Sequence, residues 1–390
     1  GNDGLNTVIP YQDSAYLQAR PSLGYQPNLV LPLADGLGLH PNLKGLKSLW
    51  DARRLAIVRG VGYPDPVLSH FRGMSIWQTG SPTSGVSTGV FGRWLDATGT
   101  NPMRAVSVGA TLPVLLTGDN SAATAIEGDS IRIPGGARLA PVLAPFDAQG
   151  TDRPGLAGQV ARSGSDLLSV QQTLSNLLAA TGSGASGGTS GGGTNGGGTA
   201  GSAPTTASGT AKAGAKAGAK AGAKAGAKGG AITTLGDQLA IVAELIKAGS
   251  PTKVYQVSMT GFDNHSDEKG THAALMTELD SAISGFMSSI GPSPHGQGVV
   301  LMTYSEFGRR VAQNASGGTD HGTAAPLFVV GPGVKGGQFY GDEPPLTNLD
   351  DGNLNFTTDY RRVFATMLAE VVGVDPKVAL DGSFPTLNLI

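Results

Sequence analysis

A long stretch without large apolar side chains, residues 181–230, is the feature that most constrains this chain. It begins as a run made up mainly of Gly, Ser, Thr and Ala and continues as an Ala-Gly-Ala-Lys repeat that carries five lysines and no acidic residue. Such a stretch buries nothing that could offset the entropy cost of ordering it. We therefore predict a basic, low-complexity surface insertion at 181–230 within a single domain that spans 1–390.

Two interpretations of this insertion remain open. A Gly-rich segment with evenly spaced lysines is typical of a solvated linker, and this is the interpretation that its composition favours. Its charge would also suit contact with an acidic polymer or the cell envelope, or self-assembly of the protein.

The overall charge and the absence of cysteine exclude several classes of function. The formal net charge is -2 and the pI is about 6.3, so we expect no nucleic-acid partner. The chain has no cysteine, so a bound metal must use oxygen or imidazole ligands. No apolar run approaches the roughly 20 residues of a membrane-spanning helix, so we expect no membrane span.

Strand-like and helix-like segments alternate on both sides of the insertion. Short apolar runs predict strands at 54–61, 105–109, 253–259, 299–304 and 326–330. Apolar residues at helical spacing predict helices at 166–180, 239–246, 275–290 and 360–371. This alternation is typical of an α/β sandwich around a mainly parallel sheet.

Residues with metal-binding side chains fall next to the predicted strands. Asp263 and His265 follow the strand at 253–259, Glu306 follows the strand at 299–304, and His321 precedes the strand at 326–330. Ligands gather at strand ends in open α/β sheets, which predicts that these side chains meet. Each motif alone is more typical of loop capping, but three together favour a divalent metal ion such as Zn, Mn, Fe or Ca.

Segments distributed along nearly the whole chain outside the insertion resemble the DUF1501 family of exported bacterial proteins. They read GNDGLNTVIPY, LGLHP, VGYPDPVLSHFRGMSIWQTG, VSMTGFDNH, LMTYSEFGRRVAQNASGGTDHGTAAPLFVVGPGVKGG and TTDYRRVFATMLAEVVGVDP. The family is similar in turn to the alkaline phosphatase and sulfatase superfamily. This similarity implies a sulfatase-like α/β fold with a metal centre and a hydroxyl nucleophile at the start of a helix.

The resemblance also implies metal ligands. Asp3 resembles the first-strand aspartate of the superfamily, and His321 resembles its last histidine ligand. Asp263 and His265 resemble an aspartate–histidine pair, although one residue separates them where the superfamily commonly has three, so His272 could replace His265.

A second aspartate–histidine pair is altered in this chain. Glu306 stands where the superfamily usually has the aspartate, and Phe307 stands where it has the histidine. We therefore expect a second metal site to be poorer than in a phosphatase.

Catalytic roles follow from the same resemblance. Ser69 lies where the nucleophile opens a helix, and its alternative role is that of a helix N-cap. His70 would be a general acid or a hydrogen-bond partner of a ligand, with a packed core histidine as the alternative, and Arg309 would hold an anionic group of the substrate.

These features predict an exported, metal-dependent hydrolase that acts on a phosphate or sulfate ester, including esters of envelope polysaccharide. The sequence pattern from which sulfatases make formylglycine does not surround Ser69, so that mechanism is not expected. The alternative is a non-catalytic secreted or surface-assembly protein on the same scaffold, which the Glu306–Phe307 replacement favours. Family members carry an apolar strand and a twin-arginine leader before Gly-Asn-Asp, so we expect Gly1 to mark a truncation or a processing site.

Overall fold

The structure is a computed structural model that describes residues 1–83, 85–99, 101–109, 111–127, 158, 164–166, 169–173, 176 and 234–390. The described α-helices are α1 (Ser14–Ala19), α2 (Lys44–Asp51), α3 (His70–Thr79), α4 (Val90–Thr98), α5 (Leu235–Lys247), α6 (Glu268–Ile290) and α7 (Tyr360–Thr366). The described strands are β1 (Val8–Ile9), β2 (Leu31–Pro32), β3 (Gly38–Leu39), β4 (Leu55–Gly62), β5 (Ala105–Val108), β6 (Thr124–Ile126), β7 (Val254–Gln256), β8 (Leu301–Met302), β9 (Ala325–Val330), β10 (Gln338–Tyr340), β11 (Leu349–Asp350), β12 (Asn353–Leu354) and β13 (Thr358–Asp359). The predicted insertion at 181–230 lies outside these residues.

The largest sheet is five-stranded, and β4 is its central strand. Strand β4 pairs antiparallel with β9 and parallel with β10 and β13, while β8 pairs antiparallel with the far edge of β9. Most of β4 is buried, as its continuous apolar run predicts. This sheet is mixed, which differs from the expected mainly parallel sheet because β9 runs back against β4.

A separate three-stranded sheet is parallel throughout. Strand β5 lies between β6 and β7, with Val106 opposite Tyr255. Helix α5 packs with α6, and both contribute to the apolar cluster that covers this sheet. The protein is thus a mixed α/β structure with several sheets, one of them parallel.

Strand β4 separates two hydrophobic clusters because its side chains alternate between the two faces of the sheet. Ala56 and Val58 pack into a cluster with residues of α3, α4 and α7. Leu55 and Ile57 pack into the opposite cluster with residues of α2 and α6. Burial of each of these Leu or Ile side chains contributes about 1.5–3 kcal/mol to the stability of the fold. Strand β4 therefore stabilises the packing of helices on both faces of the sheet.

The predicted elements agree with the structure in position more closely than in length. The strand predicted at 253–259 is β7, only three residues long, and the strand at 299–304 is β8, only two residues long. The helix predicted at 360–371 is α7 followed by a π-helix at Met367–Val372. Of the helix predicted at 166–180, residues 166, 169–173 and 176 are helical, and the remainder lies outside the described residues.

Among the described residues, no helix combines the length and apolar character needed to span a membrane. The loops that follow β7 and β8, the loop that precedes β9, and the start of α3 meet at one edge of the structure, where their polar side chains are in contact.

Candidate metal centre

Asp263, in the loop after β7, lies at the centre of a group of imidazoles. Its Oδ1 is 3.0 Å from His265 Nε2 and 3.0 Å from His321 Nε2. The two Nε2 atoms are themselves 3.0 Å apart. Three potential ligand atoms therefore form a triangle with equal sides, brought together from two loops that are far apart in the sequence.

His70, the first residue of α3, lies on the other side of the same carboxylate. Its Nε2 is 3.2 Å from Asp263 Oδ2, is buried, and has no hydrogen-bond partner. His70, Asp263 and His321 each offer a ligand atom, and these atoms lie within 4.8 Å of one another, so this group could hold a metal ion. We refer to His70, Asp263, His265 and His321 as the His/Asp cluster.

Each imidazole of the His/Asp cluster has its Nδ1 near an oxygen atom. His321 Nδ1 donates to the carbonyl oxygen of Leu68 at 2.8 Å, which fixes the ring proton on Nδ1 because a carbonyl only accepts. His70 Nδ1 is 2.6 Å from Glu306 Oε1, and His265 Nδ1 is 3.3 Å from Asp320 Oδ1. This arrangement, with Nδ1 anchored and Nε2 facing a common centre, is typical of metal-binding histidines.

Arg309 holds the central carboxylate in place. Its guanidinium donates to Asp263 Oδ1 and to the carbonyl oxygens of Gly1, Phe262 and Thr319, each at 2.8 or 2.9 Å. The side chain is 1% exposed. Arg309 was predicted to hold an anionic group of the substrate. In this structure its guanidinium is buried and donates to protein oxygens, so Arg309 acts on the site by holding the Asp263 carboxylate.

The same contacts keep Asp263 ionised. Partial burial raises the pKa of the Asp263 carboxyl, but the hydrogen bond and the charge of Arg309 outweigh this and hold the pKa well below its usual range. A carboxylate that stays ionised offers its oxygens to a cation without first losing a proton.

Ser69 lies next to the His/Asp cluster as the N-cap residue of α3. Its side chain is exposed and makes no capping hydrogen bond, so the hydroxyl is not engaged by the helix that it precedes. The neighbouring residues on both sides touch the cluster, Leu68 through its carbonyl oxygen and His70 through its ring. The hydroxyl therefore lies at a helix N-terminus, where backbone amides favour an anion.

Asp3 lies in a different, fully buried cluster. Its carboxylate forms an ion pair with Arg20, and both side chains are at most 1% exposed. Burial raises the pKa of Asp3, but the charge of Arg20 outweighs it and lowers the pKa. Asp3 was predicted as a metal ligand. Within the part of the chain that the structure describes, its carboxylate pairs with Arg20 and makes no contact with the His/Asp cluster.

Two residues of α6 join Asp3 in this buried cluster. Burial, followed by the charge of Asp3, raises the pKa of Glu268 to about 8. His272 Nε2 is 3.1 Å from Asn2 Oδ1, and burial lowers the pKa of this imidazole to about 4. His272 is thus engaged beside Asp3, whereas His265 occupies the position next to Asp263.

Glu306 and Phe307, in the loop after β8, contact imidazoles of the His/Asp cluster. Glu306 was predicted as a metal ligand; its Oε1 contacts His70 Nδ1 and the Gly1 nitrogen, at 2.6 and 2.8 Å. The ring of Phe307 packs on those of His321 and His70, with centroids 4.6 and 4.9 Å apart. Among the described residues, the group of His, Asp and Glu side chains found close enough to hold a metal ion, His70, Asp263 and His321, belongs to the His/Asp cluster.

Two supporting groups were not predicted from the sequence. Asp320 holds His265, and its position directly before His321 was the available signal. The carbonyl oxygen of Leu68 holds His321, and no sequence pattern could have shown this because every residue has a carbonyl.

Comparison with known proteins gives one family match. Residues 217–381 match the family described as "Protein of unknown function (DUF1501)". The matched region contains Asp263, His265, Glu306, Arg309 and His321, and it does not include Asp3, Ser69 or His70. No curated protein and no solved structure matches the chain.

Proposed function

We propose that this protein is an exported, metal-dependent hydrolase of the alkaline phosphatase and sulfatase type that cleaves a phosphate or sulfate ester. The observation that carries the proposal is the triangle of ligand atoms from Asp263, His265 and His321, with sides of 3.0 Å. Metal–ligand bonds of about 2.0–2.1 Å place neighbouring donors about 3 Å apart, so the separations fit a bound ion.

The charge and hydrogen bonding of the His/Asp cluster also suit a divalent cation. Asp263 is ionised, and the buried Nε2 of His70 has no partner. A buried nitrogen without a partner has lost its hydrogen bonds to water and has no other hydrogen bond to replace them, which costs free energy. A metal ion bound to Nε2 would offset this cost.

Ser69 is the proposed nucleophile. Its Oγ would lose its proton to water and form a bond to phosphorus or sulfur while the bond from that atom to the ester oxygen breaks, and the departing oxygen would take a proton from water. A water molecule would then hydrolyse the serine ester and regenerate the hydroxyl. The free amides at the start of α3 would stabilise the negative charge of the transferred group.

A divalent ion bound in the His/Asp cluster would polarise the ester and lower the pKa of a nearby hydroxyl. The residues of the chain would orient it: Arg309 holds Asp263, and Leu68, Glu306 and Asp320 hold the three imidazoles. We propose an anionic ester as substrate, including esters carried on envelope polysaccharide.

The test combines metal analysis with turnover. Purified protein loaded with Zn²⁺, Mn²⁺ or Co²⁺ would be screened against aryl phosphates and aryl sulfates. We expect close to one bound ion per chain and turnover that Ser69→Ala abolishes without loss of the metal. Ser288→Ala, at an exposed position of α6, is the matched control and should retain full turnover.

A second candidate function is a non-catalytic surface protein whose metal ion stabilises the fold. The packing of Phe307 on two imidazoles favours it, because this ring fills the place where the superfamily carries a further ligand. Bound metal with no turnover of either ester class, and a Ser69→Ala variant indistinguishable from the parent, would support this second function.

A further inference from the structure

We propose that His70 is a metal ligand rather than a proton donor, and that Glu306 is the positioning residue that fixes its tautomer. The complete site would then consist of three imidazole nitrogens and one carboxylate, a set that selects a transition-metal ion over Ca²⁺ or Mg²⁺. The inference rests on the proposed function, since it concerns the same metal.

The first step concerns the proton of the His70 ring. Glu306 Oε1 lies 2.6 Å from His70 Nδ1. A carboxylate that accepts a hydrogen bond this short holds the proton on Nδ1, as is common for metal-binding histidines. With that proton on Nδ1, Nε2 is the ring nitrogen left to bind a cation.

The second step concerns where Nε2 points. It lies 3.2 Å from Asp263 Oδ2, is buried, and has no hydrogen-bond partner. A proton donor for a leaving group needs an N–H directed at the substrate, but the Nδ1 proton is engaged by Glu306. A buried lone pair beside the Asp263 carboxylate matches a ligand position instead.

The third step concerns how firmly Glu306 is held. Its side chain is 12% exposed, Ser305 Oγ donates to its Oε2 at 3.0 Å, and Phe307 packs on the His70 ring. The carboxylate therefore cannot turn away from His70 without breaking other contacts. Asp320, the partner of His265, is 56% exposed and its contact is longer, at 3.3 Å, so it positions its imidazole less firmly.

The donor set also indicates the class of metal. Ca²⁺ takes about six to eight oxygen ligands, and Mg²⁺ prefers oxygen and water. The His/Asp cluster offers three nitrogens and one carboxylate, a set that suits Zn²⁺, Co²⁺, Fe²⁺ or Mn²⁺.

The main experiment measures Zn²⁺ affinity by competition with a chromophoric chelator. We expect His70→Ala and Glu306→Leu to raise the Zn²⁺ Kd by about 10–100-fold, the usual effect of removing such a partner. Glu306→Gln keeps an oxygen that accepts from Nδ1, so its effect should be below about tenfold. Glu244→Gln, on the exposed face of α5, is the matched control and should leave the Kd unchanged.

A second measurement does not depend on metal. ¹⁵N NMR of the metal-free protein should find the His70 proton on Nδ1, and Glu306→Leu should shift the tautomer toward Nε2. Tight Zn²⁺ binding that persists in His70→Ala, a His70 proton on Nε2 in the parent, or displacement of Zn²⁺ by equimolar Ca²⁺ would each overturn the inference alone. A parent protein that binds none of these metals would overturn the proposed function as well.

Discussion

The Nδ1 of His321 donates a hydrogen bond to the carbonyl oxygen of Leu68 at 2.8 Å, across 253 positions of the sequence. This single contact joins the loop before β9 to the residue that precedes Ser69. It fixes the tautomer of His321 and directs Nε2 toward Asp263, 3.0 Å away. The candidate nucleophile and the candidate metal ligands are thus parts of one connected structure.

Metal binding should stabilise the protein through His321. A ligand that binds only the folded state adds about 2.7 kcal/mol at a concentration of 100 times its Kd, so Zn²⁺ should raise the Tm of the parent. The Tm of His321→Ala should respond much less, whereas exposed His295→Ala should respond like the parent. Scanning calorimetry with and without Zn²⁺ measures this, and equal shifts in all three proteins would contradict it.

Glu268 should make stability depend on pH between about 4.5 and 8. The folded protein keeps this carboxyl protonated up to about pH 8, whereas the unfolded chain releases the proton near 4.5. The unfolded state therefore binds fewer protons in this window, so the stability from Glu268 is complete below pH 4.5 and is lost as the pH rises toward 8.

The groups that act on the Glu268 carboxyl are Asp3, Arg20 and Thr319. His272, which interacts with Asp3, is neutral over this pH window. Glu268→Gln imitates the protonated carboxyl at every pH. Its free energy of unfolding relative to the parent should therefore increase by more than about 1 kcal/mol from pH 5 to pH 8. Urea unfolding at several pH values measures this, and a constant difference would refute the assignment.

The buried ion pair between Asp3 and Arg20 should contribute to the fold and not to metal binding. Asp3→Asn leaves the guanidinium buried without its counter-ion, which costs about 3–5 kcal/mol of unfolding free energy. Asp51→Asn breaks the exposed pair with Lys47 and should cost below about 1 kcal/mol. Folded Asp3→Asn should retain the Zn²⁺ affinity of the parent. A large loss of Zn²⁺ affinity in this variant would show that Asp3 is a metal ligand.

The start of α5 depends on Thr234. Its Oγ1 accepts from the Asp237 amide at 3.1 Å and donates to Asp237 Oδ2 at 2.7 Å. Thr234→Ala removes both contacts and should lower the unfolding free energy by about 1 kcal/mol, while Thr234→Ser should be close to neutral. Denaturant unfolding would detect the difference, and equal stability of the two variants would exclude the capping role.

Two glycines within helices should respond in opposite ways to alanine. A Cβ at Gly92, in α4, would lie 2.0 Å from the carbonyl oxygen of Thr117, which is backbone and cannot move aside. A Cβ at Gly285, in α6, would meet nothing within 4 Å. Gly92→Ala should therefore lower the Tm by several degrees, whereas Gly285→Ala should stabilise the protein by about 0.5–1 kcal/mol. A stable Gly92→Ala variant would contradict the close packing of α4.

The sequence predicted the principal elements well where periodicity is strong. The apolar run of β4, the helical spacing from Leu275 to Ile290, and the strand before Val330 all appear near the expected positions. Pairing direction was not predictable, because an apolar strand such as β9 reads the same whether its neighbour runs parallel or antiparallel. For this reason the largest sheet is mixed, whereas the sequence pattern predicted a mainly parallel sheet.

The candidate site was predictable by residue type and only partly by role. The Asp-x-His and Asp-His motifs indicated Asp263, His265 and His321, and these three meet in the structure. Glu306, which was expected as a ligand, contacts His70 Nδ1 in the structure. Asp3, also expected as a ligand, forms an ion pair with Arg20, and a buried guanidinium requires such a counter-ion.

The sequence by itself predicted the strongly apolar strands and the helices of regular apolar spacing, showed that residues 181–230 lack large apolar side chains, and showed that oxygen and imidazole are the available metal ligands. These properties follow from local side-chain chemistry and spacing, which the order of residues records directly. Only the tertiary structure decided which nitrogen of each histidine faces Asp263 and which carboxylates lie behind the imidazoles. Those features depend on distances between segments that are hundreds of residues apart, and packing alone sets such distances.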